Sequence, residues 1–396
     1  MRARGAVAFA VALVAMLAAG LWLGGHPRAL PDPLRDVFVS EPSGLAAEAA
    51  EAIEDNYYRE VGEKELGNAS LQGMVRELRK RHDDRFSEYF SPENLESFNQ
   101  QLEGRFSGIG LSVIEVKKGL QVAQVFPRSP ADGAGIEIGD TVVSVGGESI
   151  AGQSSTEATK KIKGPEGTEV TIGVRDGKSG EVRELTLTRA EVTLPNVSRR
   201  IEQVDGLELG YVSLLSFSEG AHAQLGQAVK KVEKEGAEGI VLDLRHNPGG
   251  LLGEAVRSAS LFLPEGEVVV RTDSRTQGES VHETGDGRVS SLPLVVLIDR
   301  GTASAAEILA AALADNSDAE IVGTRSFGKG VFQEEQALAN GGALKLTVGE
   351  YFTPEGVNLA ESKGIHPDVK AKDNPATAAD EAEQRAFGLL ASRIGS

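Results

Sequence analysis

Residues 292–315, LPLVVLIDRGTASAAEILAAALAD, join an apolar run, a glycine-containing turn and a stretch with Ile308, Leu309, Ala312 and Leu313 at helical spacing. A short continuous apolar run followed by that period describes a buried strand leading into a helix. The alternation extends to both sides. Upstream lie LELGYVSL, the helix-like SEGAHAQLGQAVKKVEKEG, GIVLDLR and LGEAVRSASLFL, and downstream lies AEIVG. Strands alternating with helices of this length imply a largely parallel sheet covered on its faces, so residues 192–374 are expected to form an α/β core.

Residues 104–191 have another texture. The short apolar runs IGLSVIEV, LQVAQV, DTVVSV, EVTIGV and VRELTLT are separated by glycine turns, which predicts an inserted β-rich domain. Before it, residues 35–103 form a small helical region: 44–56 puts Leu45, Ala49 and Ile53 on one face, and 70–82 carries Leu71, Met74, Val75 and Leu78 at helical spacing. Those stripes suit a core or an interaction face. Residues 375–396 read as a polar, helix-like tail. At the amino terminus Arg2 and Arg4 precede the uncharged stretch 6–25, AVAFAVALVAMLAAGLWLGG, close to the length that crosses a bilayer as a helix. Residues 1–34 are therefore expected to be an export signal or membrane anchor with its linker, leaving the rest of the chain extracytoplasmic.

The chain of 396 residues carries a formal charge of −18, which disfavours nucleic acid as a partner because phosphate neutralisation needs a basic surface. Cysteine is absent, so disulfides, thiolate metal sites and cysteine nucleophiles are excluded. The six His form no pair at metal-motif spacing, so neither a metal nor a cofactor is implied. Residues 323–329, GTRSFGK, satisfy part of a phosphate loop. Gly330 stands where a Ser or Thr would hold magnesium, however, and VFQEEQALANGGALKLTV after it looks like strand and hairpin, where a helix should follow.

Ser304 admits two readings. At a helix start on the carboxyl edge of a sheet it could carry developing oxyanion charge near the positive end of a helix dipole, or it could simply cap the helix, with Glu307 completing a capping box. Two other segments bear on the choice. Lys329 lies in a glycine-flanked turn, and DLRHNPGG, residues 243–250, ends another strand with two glycines that would let backbone amides converge on an anion.

DLRHNPGGLL, GTASAAEILAAAL, GTRSFGKGVFQ and YFTPEGVNLAESKGIHPDV, in this order, resemble the carboxyl-terminal processing (tail-specific) serine peptidases. FSGIGLSV, PRSPADGAGIEIGDTVVSVGGESI and GPEGTEVTI resemble a PDZ domain, and the likeness covers residues 35 to 372. The resemblance implies a Ser-Lys endopeptidase in which Ser304 is the nucleophile, Lys329 the general base and Gln333 the residue that orients it. The amide of Ala305 and that of Gly249 or Gly250 would form the oxyanion hole. Phe106, Gly108, Ile109, Gly110 and Leu111 would take an apolar substrate tail by its terminal carboxylate, and the terminal helical regions could pair subunits. The stretch RHDDRFSEYF departs from the family pattern, within the helical region. A catalytically silent PDZ scaffold is the alternative class.

Overall fold

The computed structural model describes residues 41–194, 196–373, 377 and 379–395. The described residues divide into two compact units, those up to residue 92 with 335–346, and those from 93 to 334 with those from 347 onward. The stretch 6–25 lies outside the described residues. Among those described, no helix is long and apolar enough to cross a membrane.

In the first unit, helices α1 (Glu41–Asn56) and α2 (Glu63–His82) precede strand β1 (Glu88–Phe90). β1 is the end of the departing stretch RHDDRFSEYF. It pairs antiparallel with Ala343, Leu344 and Lys345, and the Tyr89 hydroxyl donates to Asn68 Oδ1 at 2.6 Å. Of the expected α2 stripe only Val75 is buried, whereas Met74 and Leu78 are exposed. A lone helical pair has no second layer on which to bury a full apolar stripe.

The second unit opens with α3 (Pro92–Leu102) and the β-rich domain. Its strands are β2 (Arg105–Gly108), β3 (Leu111–Val116), β4 (Gly119–Val125), β5 (Thr141–Val145), β6 (Glu148–Ser149), β7 (Glu169–Arg175), β8 (Val182–Thr188) and β9 (Ala190–Thr193), with helices α4 (Pro130–Gly133) and α5 (Ser155–Ile162). The main sheet runs β3-β4-β5-β7-β8, which leaves β3 at an edge, and β2 pairs separately with β9. Leu120, Val142, Ile150, Ala158 and Ile172 form its core.

The core follows: β10 (Val197–Val204), β11 (Leu207–Leu214), α6 (Ala221–Lys234), β12 (Gly239–Asp243), α7 (Leu252–Ala259), β13 (Val268–Ser274), β14 (Gly278–Glu283), β15 (Leu294–Ile298), α8 (Ala305–Asn316), β16 (Glu320–Gly323), β17 (Val331–Ala337), β18 (Ala343–Phe352), β19 (Val369–Lys370) and α9 (Glu381–Ile394). The central sheet has the order β10-β11-β12-β15-β16-β19, parallel from β11 onward. All five residues of β12 and of β15 are buried because both faces are covered. Ile240, Leu242, Val296 and Ile298 face the helices α6, α7 and α8. Val241, Val295 and Leu297 face the other way, onto α9. A second set of strands, β13 with β14 and with Gly349–Phe352 of β18, is antiparallel.

The expected polar tail is instead a wall of the core. Ala382, Ala386, Phe387, Leu390 and Ala391 of α9 are buried against Leu209, Tyr211, Val241, Val295 and Val322. Glu381, Glu383, Gln384 and Arg385 dilute that stripe in the sequence, which is why the segment looked polar. Arg245 ties the helix start to the sheet: its guanidinium meets Asp243 at 2.6 Å and Asp380 at 2.8 Å, and Asp380 Oδ1 caps α9 by accepting Glu383 N–H at 2.8 Å. Burial opposes the Arg245 charge, but the Asp243 and Asp380 carboxylates outweigh it and hold its pKa above the ordinary guanidinium value. Truncating Phe387 to Ala should cost about 3–5 kcal/mol of stability in urea unfolding of the full chain, as for a core aromatic; a change within ±0.5 kcal/mol would mark α9 as an appendage.

Candidate active site

The turn between β15 and α8 folds around one carboxylate. Asp299 Oδ1 accepts the amides of His246 at 2.9 Å, Gly301 at 2.8 Å and Thr302 at 3.1 Å, while Thr302 Oγ1 donates to Leu244 O at 2.8 Å. These bonds pull the Ser304 turn against the DLRHNPGG loop at the end of β12. Ser304 then sits at φ 56° and ψ −121°, a conformation that costs an L residue on the order of 1–3 kcal/mol.

Glu307 holds that conformation. Ser304 and Glu307 stand in the capping-box arrangement expected from their spacing, but its full hydrogen bond is the carboxylate half, Ser304 N–H to Glu307 Oε2 at 2.8 Å. The same oxygen accepts Lys329 N–H at 2.9 Å, and Oε1 accepts Gly328 N–H at 2.7 Å and the Ser326 hydroxyl. From its spacing alone Glu307 has only a local role, as partner of Ser304 in a capping box. The structure makes it the fully buried node that brings the Ser304 and Lys329 backbones together. The glycines beside Lys329 let its loop lie on the chain at 360–364: a Cβ at Gly328 would fall 2.7 Å from Lys363 C, and one at Gly330 2.0 Å from Ala360 N. After Gly330 the chain is strand β17, paired with β18, and not the helix that a phosphate loop requires.

Gly249 packs directly on the turn, since a Cβ there would lie 2.9 Å from Ser304 Cβ and 3.0 Å from Ala305 N. Its own N–H donates to Asn247 Oδ1 at 2.9 Å. Asn247 is buried and also donates to Leu214 O at 2.9 Å and accepts Ala303 N–H through its carbonyl at 2.9 Å. Of the two candidate glycine amides, Gly250 N–H is therefore the one without an intramolecular acceptor among the described residues. The Ala305 N–H, at the first position of α8, has no helical acceptor either.

Strands β17 and β18 carry two further residues of interest. The phenol of Tyr351, on β18, lies beside the Ser304 hydroxyl; burial pushes the Tyr351 pKa up to about 12, so it stays neutral through the working range. A tyrosine fifty residues downstream carried no sequence signal for this contact. Gln333, on β17, donates from Nε2 to Thr347 Oγ1 at 3.3 Å.

In the β-rich domain, Phe106–Leu111 bends between β2 and β3. The bend requires glycine at 110, whose φ is 83° and whose added Cβ would lie 2.1 Å from Ser129 Cβ. The Phe106 ring meets Phe126 edge-on at 5.9 Å, and Lys163 Nζ lies 5.5 Å over it. Glu115 of β3 accepts Ser155 N–H at the start of α5 at 2.9 Å, which ties the strand to the helix start.

A hydroxyl on a strained strand-to-helix corner, a lysine loop tied to it by Glu307 and a glycine-rich loop packed alongside thus meet at one end of the α/β sheet, in a chain that also carries a separate β-rich module. Residues 208–371 match the model of peptidase family S41, and residues 97–175 match that of the PDZ domain. By these matches the core is similar to peptidase family S41 and the module before it to a PDZ domain. The chain is 33% identical over 325 residues to a "Probable CtpA-like serine protease" of Staphylococcus saprophyticus, covering 82% of this chain and 64% of that protein. A Staphylococcus aureus protein of the same name is 34% identical over 319 residues, 80% and 62% of the respective lengths. The chain thus spans less than two thirds of the length of these curated relatives. Among solved structures, the photosystem II D1 C-terminal processing protease matches with a TM-score of 0.51 and 28% identity, over 88% of this chain and 98% of that one.

Glu307→Gln replaces one acceptor oxygen by an NH2 that must face amide or hydroxyl donors. It should lower stability by about 1–3 kcal/mol in chemical denaturation, the cost of buried groups left unmatched. An unchanged midpoint would show that the four bonds are not jointly formed in solution.

Proposed function

We propose that the chain is a serine endopeptidase that cleaves extracytoplasmic proteins near their carboxyl-terminal tails. The observation that carries the reading is the shared Glu307 carboxylate, which holds the Ser304 and Lys329 backbones together. Ser304 is the nucleophile and attacks the peptide carbonyl carbon. Lys329, neutral before the attack, takes the hydroxyl proton and later passes it to the leaving amine. That transfer needs the amine unprotonated, and an apolar surrounding disfavours the ammonium.

The oxyanion that forms is met by the amides of Gly250 and Ala305, preorganised by Asn247 and by the start of α8. Gly249 supplies the close approach that its missing side chain permits. Tyr351, staying protonated, orients the Ser304 hydroxyl. Because Gln333 spends Nε2 on Thr347, its carbonyl oxygen is the atom available to orient the Lys329 amine without adding a charge that would keep it protonated.

The PDZ domain supplies selection. β3 is an edge strand, so an extended tail can add to it while its end enters the bend formed by Phe106, Gly108, Ile109, Gly110 and Leu111. Apolar residues at the end of the tail would lie between β3 and α5. Read as an anchor or export signal, the stretch 6–25 supports an activity outside the cytoplasm.

Ser304→Ala should cut peptide hydrolysis about a thousandfold or more with the fold intact, and Lys329→Arg should be as damaging as Lys329→Ala, because guanidinium cannot act as a base. Purified full chain, assayed on a protein with an unstructured apolar tail, tests both. Turnover that survives Ser304→Ala would return the chain to the scaffold class.

Amidating the substrate's carboxyl end should slow cleavage of the tailed protein, through a raised KM, more than cleavage of short internal peptides, since amides aimed at an anion lose their charge-assisted bonds. Equal rates on free-acid and amidated tails would show that the domain does not read the terminus.

A further inference from the structure

The last strands of the central sheet end in a hollow that the peptidase reading does not use. A cavity of about 430 Å³ opens at the carboxyl ends of β16 and β19, lined among others by Thr324, Arg325, His366, Pro367, Lys370 and Lys372. Every ionisable residue of its lining is basic, in a chain of formal charge −18. Its floor is rigid backbone. Gly323, at φ 130°, lies so close to β15 that a Cβ would fall 2.0 Å from Ile298 O, and its carbonyl accepts Ala371 N–H at 2.9 Å.

The acidic residues nearest in sequence are committed elsewhere. Asp368 accepts Ile321 N–H at 2.8 Å, and Asp373 accepts Ala382 N–H at 3.0 Å and pairs with Arg245 at 3.1 Å. The basic side chains, by contrast, are uncommitted: none of Arg325, His366, Lys370 and Lys372 enters a side-chain hydrogen bond or ion pair among the described residues. Arg325 Nε is in addition shielded from solvent and has no acceptor. A donor lost to water and unmatched by protein is costly, and an external acceptor would satisfy it.

We infer that this hollow is a binding site for a small phosphate-bearing anion. The guanidinium fork offers the planar, multi-donor recognition that suits phosphate oxygens, and the two lysines add point charges that attract an anion. The crevice beyond the carboxyl ends of parallel strands is also where open α/β sheets bind ligands. The cavity is of small-molecule size, so the phosphate comes either from a free ion or from a lipid headgroup.

The test uses the full chain in neutral detergent and calorimetric titration at constant ionic strength. Inorganic phosphate is one probe, and glycerophosphoglycerol, the diester headgroup of an anionic lipid, is the other. Saturable one-to-one binding of at least one probe is expected, with Kd raised about tenfold or more by Arg325→Gln and by Lys370→Gln, and unchanged by Lys118→Gln in the PDZ turn. Tighter binding of the free ion assigns it as the source, and tighter binding of the diester assigns the headgroup. Lys370 is exposed, so its variant reports on binding even where Arg325→Gln disturbs folding. Absence of saturable binding by both probes, or binding that Lys370→Gln leaves unaltered, overturns the inference.

Discussion

The buried carboxylate of Glu307 is the constraint on which the candidate centre depends. A carboxylate removed from water carries a desolvation cost of several kcal/mol unless its lone pairs are matched, and here four neutral donors match them. Those donors come from two segments that no secondary structure joins: the start of α8 and the loop before β17. The energetic demand of one charge thereby fixes the relation between Ser304 and Lys329. Carboxylate oxygens are suited to this because each accepts two bonds at once, whereas a neutral amide could accept on one side only.

A second polar node sits behind the first. Asp243 at the end of β12 accepts the Tyr211 hydroxyl at 2.7 Å and pairs with Arg245, which reaches over to Asp380 at the cap of α9. The loop that follows Arg245 supplies Asn247 and the two glycines. The two nodes act at different depths: Arg245 secures the root of the loop to the sheet and to α9, and Asn247 sets its tip against Ala303. Gly249 and Gly250, at φ 95° and 146°, can adopt the intervening path only because neither has a side chain.

Much of this frame is legible in the sequence, for physical reasons. Strands buried on both faces must be continuous apolar runs, so GIVLD and LVVLI announce a parallel sheet by themselves. The order of glycine turns and short runs likewise announces the β-rich domain. What is not legible depends on long-range geometry. The antiparallel pairing of β13 with β18 joins segments about eighty residues apart, and that pairing brings Tyr351 to its place. The second use of Glu307 is hidden because a capping box already accounts for a glutamate three residues after a serine. The choice between Gly249 and Gly250 turns on which amide Asn247 consumes, a side-chain matter that spacing does not reveal. α9 was legible as a helix but not as a core element, because its apolar stripe is built mostly of alanine.

The conformation of Ser304 bears on the two roles that its sequence position allows. A serine that caps a helix takes an extended backbone and turns its hydroxyl onto the third amide of the helix, as Ser154 does at φ −64° and ψ 154° before α5. Ser304 instead has φ 56°, makes no capping hydrogen bond with its side chain, and meets Tyr351. The positive φ takes the residue out of the extended backbone that a capping serine uses. Glu307 takes over the anchoring by gripping the Ser304 N–H, so the helix start is secured without the hydroxyl. Capping and a hydroxyl kept out of the cap are thus alternatives at this residue, and the strain at Ser304, offset by the bonds around it, is the structural cost of the second.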